Sequence, residues 1–259
     1  MANQFITFST EDSVGKIMLN RPDTLNSFNR SMAKEMQDAL DKCASDKNIR
    51  AVYITGEGRA FCAGQDLQEA ISPDIKIADI VRESYNPIIH KIRNIEKPVI
   101  CAVNGVAAGA GANIAFACDI TFASESASFI QSFANIGLIP DSAGTFFLPR
   151  LAGLQRATAM AMLAEKIKAQ QAMDFGLIWK VIADDKLQEE AFATAKKLSS
   201  MPTKGLGLTK RLFNNSLFND LETQLSMEEQ LQQEAGNSYD HKEGVKAFLE
   251  KRKPVFKGE

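Results

Sequence analysis

The chain has 259 residues, 45% hydrophobic and 24% charged, with a formal net charge of −2. That length supports one large domain, or a core with an appendage, folding away roughly 70–75% of the extended surface, and the near-neutral balance leaves no electrostatic footprint for nucleic acid. Four scattered cysteines, Cys43, Cys62, Cys101 and Cys118, form no C-x-x-C pair and have only His90 and His241 beside them, which argues against zinc or a disulfide framework.

The N-terminal stretch MANQFITFSTED has no basic region leading into an apolar one, so the expectation is a cytosolic protein without a signal peptide. FITFST and VGKIMLN are predicted strands, RSMAKEMQDALDKCASD an amphipathic helix and RAVYITG another strand. A loop and a helix through Ile75 to Ile95 follow. Next come a strand at PVICAV, a helix at AGANIAFAC and a strand at DITFAS. The run PVICAVNGVAAGAGANIAFACDI has the length of a membrane span, but Asn104 and Asn113 interrupt it and it holds glycines and no leucine. It reads as a buried strand followed by a buried helix. Alternation of this kind predicts an α/β layered fold with crossover connections.

From about Gly153 the pattern is helical, most clearly in TKGLGLTKRLFNN and LETQLSMEEQLQQEAG, and is broken by one strand at LIWKVI. Residues 1–200 are therefore assigned to the core and 201–259 to a C-terminal helical region. The apolar positions Leu206, Leu208, Leu212 and Phe213 are expected against the core or a neighbouring copy, with Lys and Arg outside.

Two small-residue loops stand where an α/β fold binds ligands. GRAFCAGQDLQE, residues 58–69, follows a strand, and NGVAAGAGANIAFACD, residues 104–119, follows another and opens a helix. Either can be a tight connection with no ligand, and the second has the wrong spacing for a dinucleotide loop. As a pair, they allow two backbone N–H groups to converge on one carbonyl oxygen. The chain has no G-x-S-x-G, and neither histidine lies in a triad-like turn. One acid, Asp141, lies downstream of both loops in ANIGLIPDSAGTFFLPR. By pattern alone it is equally a helix cap or an acid–base group.

These stretches, with IMLNRPDTLNSFN (17–29), AVYITGEGRAFCAGQDL (51–67), KPVICAVNGVAAGAGANIAFACDI (97–120) and IGLIPDSAGTFFLPRLAG (136–153), resemble the crotonase superfamily, also called the enoyl-CoA hydratase/isomerase family. The resemblance implies a spiral of ββα units with a helical C-terminal region used for trimerisation, forming a homotrimer or a homohexamer that is a dimer of trimers. It implies an acyl-CoA substrate, with coenzyme A present as part of the thioester and no separate cofactor or metal. By motif position, the backbone N–H groups that hold the thioester oxygen fall on Gln65 and on Ala110, where relatives usually carry glycine. Ala63, Gln65, Asp66 and Leu67 match the segment along the CoA path.

Family hydratases carry two glutamates, at the positions matching Asn113 and Phe133. Neither residue is ionisable here, and each missing acid–base group removes roughly 10²–10⁴-fold in rate, so simple hydration is not the expected reaction. Relatives that isomerise acyl-CoA use an aspartate at the Asp141 turn. The resemblance extends furthest toward those acting on the ring epoxide of phenylacetyl-CoA. The alternatives are an enoyl-CoA double-bond isomerase or hydratase, and a non-catalytic acyl-CoA-binding protein of the same fold.

Overall fold

In the computed structural model, which describes residues 4–71 and 76–259, the chain begins with a hairpin of β1 (Ile6–Glu11) and β2 (Val14–Leu19). Its two-residue turn has Asp12 and Ser13 at φ of 50° and 60°, the twist that joins antiparallel strands without splaying them. Helix α1 (Arg30–Ser45) starts where the Asn29 side chain accepts the Met32 N–H at 2.8 Å, and it buries Met32, Met36 and Leu40 on one stripe.

Three ββα turns follow. The first is β3 (Ala51–Gly56) and β4 (Ala60–Cys62), with its helical part split into α2 (Leu67–Ala70), α3 (Ile77–Ile80), a π-helical turn (Val81–Tyr85) and α4 (Asn86–Asn94). The second is β5 (Val99–Val103), β6 (Val106–Ala108) and α5 (Ala110–Ala117). The third is β7 (Ile120–Ser124), β8 (Ser128–Ile130), a 3₁₀ turn (Ser132–Ile136) and α6 (Gly144–Ala152). The chain closes with α7 (Leu154–Leu163), β9 (Ile167–Lys168), α8 (Ala169–Asp174), β10 (Lys180–Ile182), α9 (Leu187–Ser199), α10 (Thr203–Ser216), α11 (Leu221–Gly236) and α12 (Tyr239–Leu249).

In each turn the first strand joins one sheet and the second strand another. The six-stranded sheet runs β1-β2-β3-β5-β7-β10 and is parallel from β2 onward; the four-stranded sheet runs β4-β6-β8-β9. This is the spiral of ββα units expected from the resemblance. Every residue of β3 and β5 is buried, as a parallel sheet covered on both faces requires. Tyr53, Ile100 and Ala102 pack under α9 through Leu187, Ala191 and Ala195, while Val52, Ile54 and Cys101 face the larger core with α1 and α4.

The smaller sheet is where sequence pattern and structure part. Ala60–Cys62 and Val106–Ala108 lie inside the two predicted loops and are paired parallel strands. Three residues are too few to display a period, so only the partner strand reveals them. The helix expected from Ile75 begins outside the described residues, and from Ile77 it runs as α3, the π turn and α4. LIWKVI is a strand only over Lys180–Ile182. In α10 Leu208 is buried, Leu206 and Leu212 are half-buried and Phe213 is exposed. Lys210, expected outside, is buried: its Nζ donates to Ile92 O and to Asp119 Oδ2, both at 2.7 Å.

Candidate active site

The site grows out of the ends of β4 and β6. Asn26, fully buried, accepts the Arg21 N–H with its side-chain oxygen and donates its amide to Glu57 O and Ala60 O, which clamps the segment before α1 onto β4. Phe28 is thereby laid beside Gln65 in a parallel bridge: its N–H donates to Gly64 O at 2.7 Å and its carbonyl accepts Asp66 N–H at 2.8 Å. In such a bridge the residue between the two bonded neighbours turns its own N–H and C=O to the opposite edge. The Gln65 N–H therefore points away from Phe28 and donates to no group among the described residues.

The opposite edge is the start of α5. Gly64 has φ of +94°, and a Cβ built on it would sit 3.0 Å from Ala108 O and 3.7 Å from Ala110 N, so this position requires both the left-handed conformation and the missing side chain. Gly111 likewise lies against Cys62, whose carbonyl would be 2.5 Å from an added Cβ. Ala110 is the first residue of α5, and its N–H also has no partner among the described residues. Two unpaired N–H groups thus converge from neighbouring strand ends, one of them on the positive end of a helix. That arrangement can receive a carbonyl oxygen on which negative charge develops.

Around them lies a pocket of about 230 Å³, lined by Ala63, Gln65 and Leu67 from the first loop, Gly109 and Ala110 from the second, and Phe133 from the 3₁₀ turn. Ile77, Ile80, Val81 and Tyr85 form a further wall, and Asp141 is the single carboxylate among the described lining residues. Asp141 is not a helix cap. Helix α6 starts at Gly144 after Ala143 in the left-handed region, without a side-chain cap, while Asp141 Oδ1 accepts the Ser142 hydroxyl at 2.9 Å. Burial raises its proton affinity above the usual 3.8, with the Ser142 hydrogen bond acting in the opposite direction.

The two positions read as replacing hydratase glutamates have other work. Asn113 is 1% exposed; its Nδ2 donates to Asp141 O at 2.8 Å and its Oδ1 accepts Gln131 Nε2 at 2.9 Å. Phe133 is buried and contributes only ring surface. Cys62, close by, is no nucleophile, because burial pushes its thiol up to about 12 against a weaker opposing bond from the Gly64 N–H.

The sequence pattern described as enoyl-CoA hydratase/isomerase matches residues 9–259. The chain belongs to that family. It is 45% identical over 261 residues to the 1,2-epoxyphenylacetyl-CoA isomerase of Escherichia coli K12, with 98% of this chain and 99% of that one covered. It is 42% identical to a probable enoyl-CoA hydratase of Rhodobacter capsulatus, with both chains wholly covered. Its fold matches a crystal structure of a putative enoyl-CoA hydratase/isomerase from Mycobacterium abscessus with a TM-score of 0.93 at 37% identity, over 97% of this chain and 98% of that one.

In this member of the enoyl-CoA hydratase/isomerase family, Ala63, Gln65, Leu67, Ala110 and Asp141 meet at one pocket. Asp66 does not line it. Its carboxylate accepts Arg21 Nη2 at 2.9 Å and the Gln68 N–H at 3.1 Å, so the side chain caps α2 instead of facing the pocket. His90 and His241 are exposed and lie outside the pocket. Tyr85 was not among the sequence candidates. Helical spacing marks it as one apolar position among Val81, Ile88 and Ile92, and only the fold shows its hydroxyl meeting Gln65 Oε1.

Proposed function

We propose that the protein is a CoA-thioester isomerase whose substrate is 2-(1,2-epoxy-1,2-dihydrophenyl)acetyl-CoA, rearranged to the seven-membered oxepin thioester. One observation carries this reading: a lone, half-buried carboxylate faces a pocket with two unpaired backbone donors and no second acid among the described lining residues. Hydration of an enoyl thioester needs groups to activate water and deliver a proton. Asn113 is committed at both ends and Phe133 is apolar. The identity to the Escherichia coli isomerase supports the same choice.

In the mechanism that follows, the thioester oxygen accepts from the Gln65 and Ala110 N–H groups. Charge developing on that oxygen is met by donors already in place, an arrangement worth about 3–4 kcal/mol of transition-state stabilisation per donor. Asp141, held by its carbonyl to Asn113 and given raised proton affinity by burial, takes a proton from the carbon between the thioester and the ring and delivers it to a ring carbon, so that the atoms balance. The epoxide C–C bond opens into the enlarged ring while the oxyanion support holds the thioester as an enolate. The low-polarity wall of Ile77, Ile80 and Phe133 suits an aromatic-derived acyl group and excludes water. Among the described residues no helix is long and apolar enough to cross a membrane; we place the enzyme in the cytoplasm, as a homotrimer or a dimer of trimers.

The test compares turnover on the epoxide thioester, a 3-enoyl-CoA and crotonyl-CoA. Faster turnover of the epoxide supports the proposal. Preference for the 3-enoyl-CoA makes the protein a double-bond isomerase, preference for crotonyl-CoA makes it a hydratase, and binding without turnover makes it a non-catalytic carrier.

A further inference from the structure

The Gln65 amide is bracketed on three sides. Its Nε2 lies 3.3 Å from both Asp66 O and Glu69 Oε2, and its Oε1 accepts the Tyr85 hydroxyl at 2.8 Å. Glu69 is itself fixed, since its carboxylate accepts the Arg30 N–H at 3.0 Å. A carboxylate only accepts, so it holds the Nε2 end of the amide and leaves the Oε1 end for a donor. Tyr85 is that donor. It is 1% exposed, with its ring tilted against Phe28 at 6.1 Å, the same Phe28 whose backbone brackets Gln65. Burial, and behind it the nearby acidic groups including Asp141, hold the phenol well above its ordinary value, so it keeps its proton.

The backbone supplies a second observation. Tyr85 ends the π-helical turn Val81–Tyr85, and the Asn86 N–H reaches back to Val81 O. Val81 and Tyr85, four residues apart on this stretch, both line the pocket, while Ile88, Ile89 and Ile92 further along the same stripe are buried in the core. Single π turns inside helices are frequent at functional sites.

We infer that Tyr85 is a positioning residue for the oxyanion hole: its hydroxyl, at the end of the π turn, orders the Gln65 side chain and so steadies the Gln65 N–H in the direction the Phe28 bridge gives it. It acts through Gln65 and touches no reacting atom. The inference rests on the proposed role of the Gln65 N–H, but not on which thioester is the substrate.

Its test separates the two. In the full-length protein, affinities are measured for acetyl-CoA and for its thioether analogue S-ethyl-CoA, which lacks the carbonyl oxygen. Tyr85→Phe is expected to lower the preference for acetyl-CoA about fivefold, the loss of one ordered hydrogen bond, with S-ethyl-CoA affinity unchanged. Gln65→Leu removes the same contact from the other side, and serves where Tyr85→Phe fails to fold. The double variant is expected to lose no more than either single one, because both delete one interaction. An unchanged preference, or equal weakening of both ligands, overturns the inference. No preference for acetyl-CoA in the unaltered protein overturns it together with the oxyanion role. A preference that Tyr85→Phe abolishes supports it, even in a protein that does not turn over the epoxide thioester.

Discussion

Asn113 Nδ2 donates to the main-chain carbonyl of Asp141 at 2.8 Å, across 28 residues of sequence. The bond ties α5, whose first N–H at Ala110 has no partner among the described residues, to the turn that carries the carboxylate. Gly144 Cα approaches the same amide, and a Cβ there would stand 2.3 Å from Nδ2. Asn113→Glu is therefore expected to convert nothing: it removes the donor, sets a carboxylate against a carbonyl and overfills the space. The expected outcome is a loss of roughly 1–3 kcal/mol in stability and no measurable hydration of crotonyl-CoA. Denaturant unfolding and loss of enoyl-thioester absorbance read the two effects.

Asp141→Asn is expected to reduce isomerase turnover by roughly 10²–10⁴-fold with little change in acyl-CoA affinity, because an amide takes up no proton from carbon near neutral pH. Steady-state kinetics on the epoxide thioester, with thermal-shift titration of the affinity, provide the check. Full retention of turnover removes Asp141 from the chemistry.

The same substitution has a consequence for stability. Burial raises the Asp141 proton affinity above 3.8 in the folded chain, so between about pH 3.8 and the raised value the folded state binds more protons than the unfolded one. Stability from this group falls as pH rises through that window and stays reduced at neutral pH. Asp141→Asn is thus expected to melt slightly above the unaltered protein at pH 7, with the difference closing as pH drops below the ordinary carboxylate value. Thermal melts across pH 3–8 measure it.

Lys210 is held by Asp119 and the carbonyls of Ile92 and Lys97, and Asp119 also accepts from Arg93 and from the Val99 N–H. This buried cluster fastens α10 to β5 and α4. Lys210→Met leaves Asp119 partly unpaired, and a destabilisation of about 3 kcal/mol is expected. Asp119→Asn with Lys210→Met is expected to recover part of it, as read by urea midpoints.

Large apolar side chains stand exposed on the later helices and turns: Trp179, Phe213, Phe218, Leu221 and Phe248 are each at least 67% accessible. Side chains this large and this exposed suit burial against another copy of the chain. Sedimentation is expected to report a trimer or hexamer at micromolar concentration, and Phe218→Asp to shift it toward smaller species. A stable monomer refutes the trimer.

Several features of this protein are determined by its sequence alone. The hydrophobic runs at Ala51–Gly56 and Val99–Val103, set between turn residues, read as buried strands, and the 3.6-residue stripe of Arg30–Ser45 reads as an amphipathic helix. The order of small-residue loops around Gln65 and Ala110 was legible because a close approach of backbones demands glycine and alanine at fixed positions. Tertiary structure decided the rest. Strands of three residues such as Ala60–Cys62 exist only through their neighbours, since no local preference outweighs the entropy of ordering so short a segment. Whether Asp141 caps a helix or faces a pocket depends on where α6 starts, and that follows from the Asn113 bond and the left-handed Ala143 rather than from the local pattern. The role of Tyr85 was invisible for a related reason: its spacing reads as one more apolar position on a helical stripe, and the bond from its hydroxyl to Gln65 Oε1 exists only because two segments 20 residues apart are brought together.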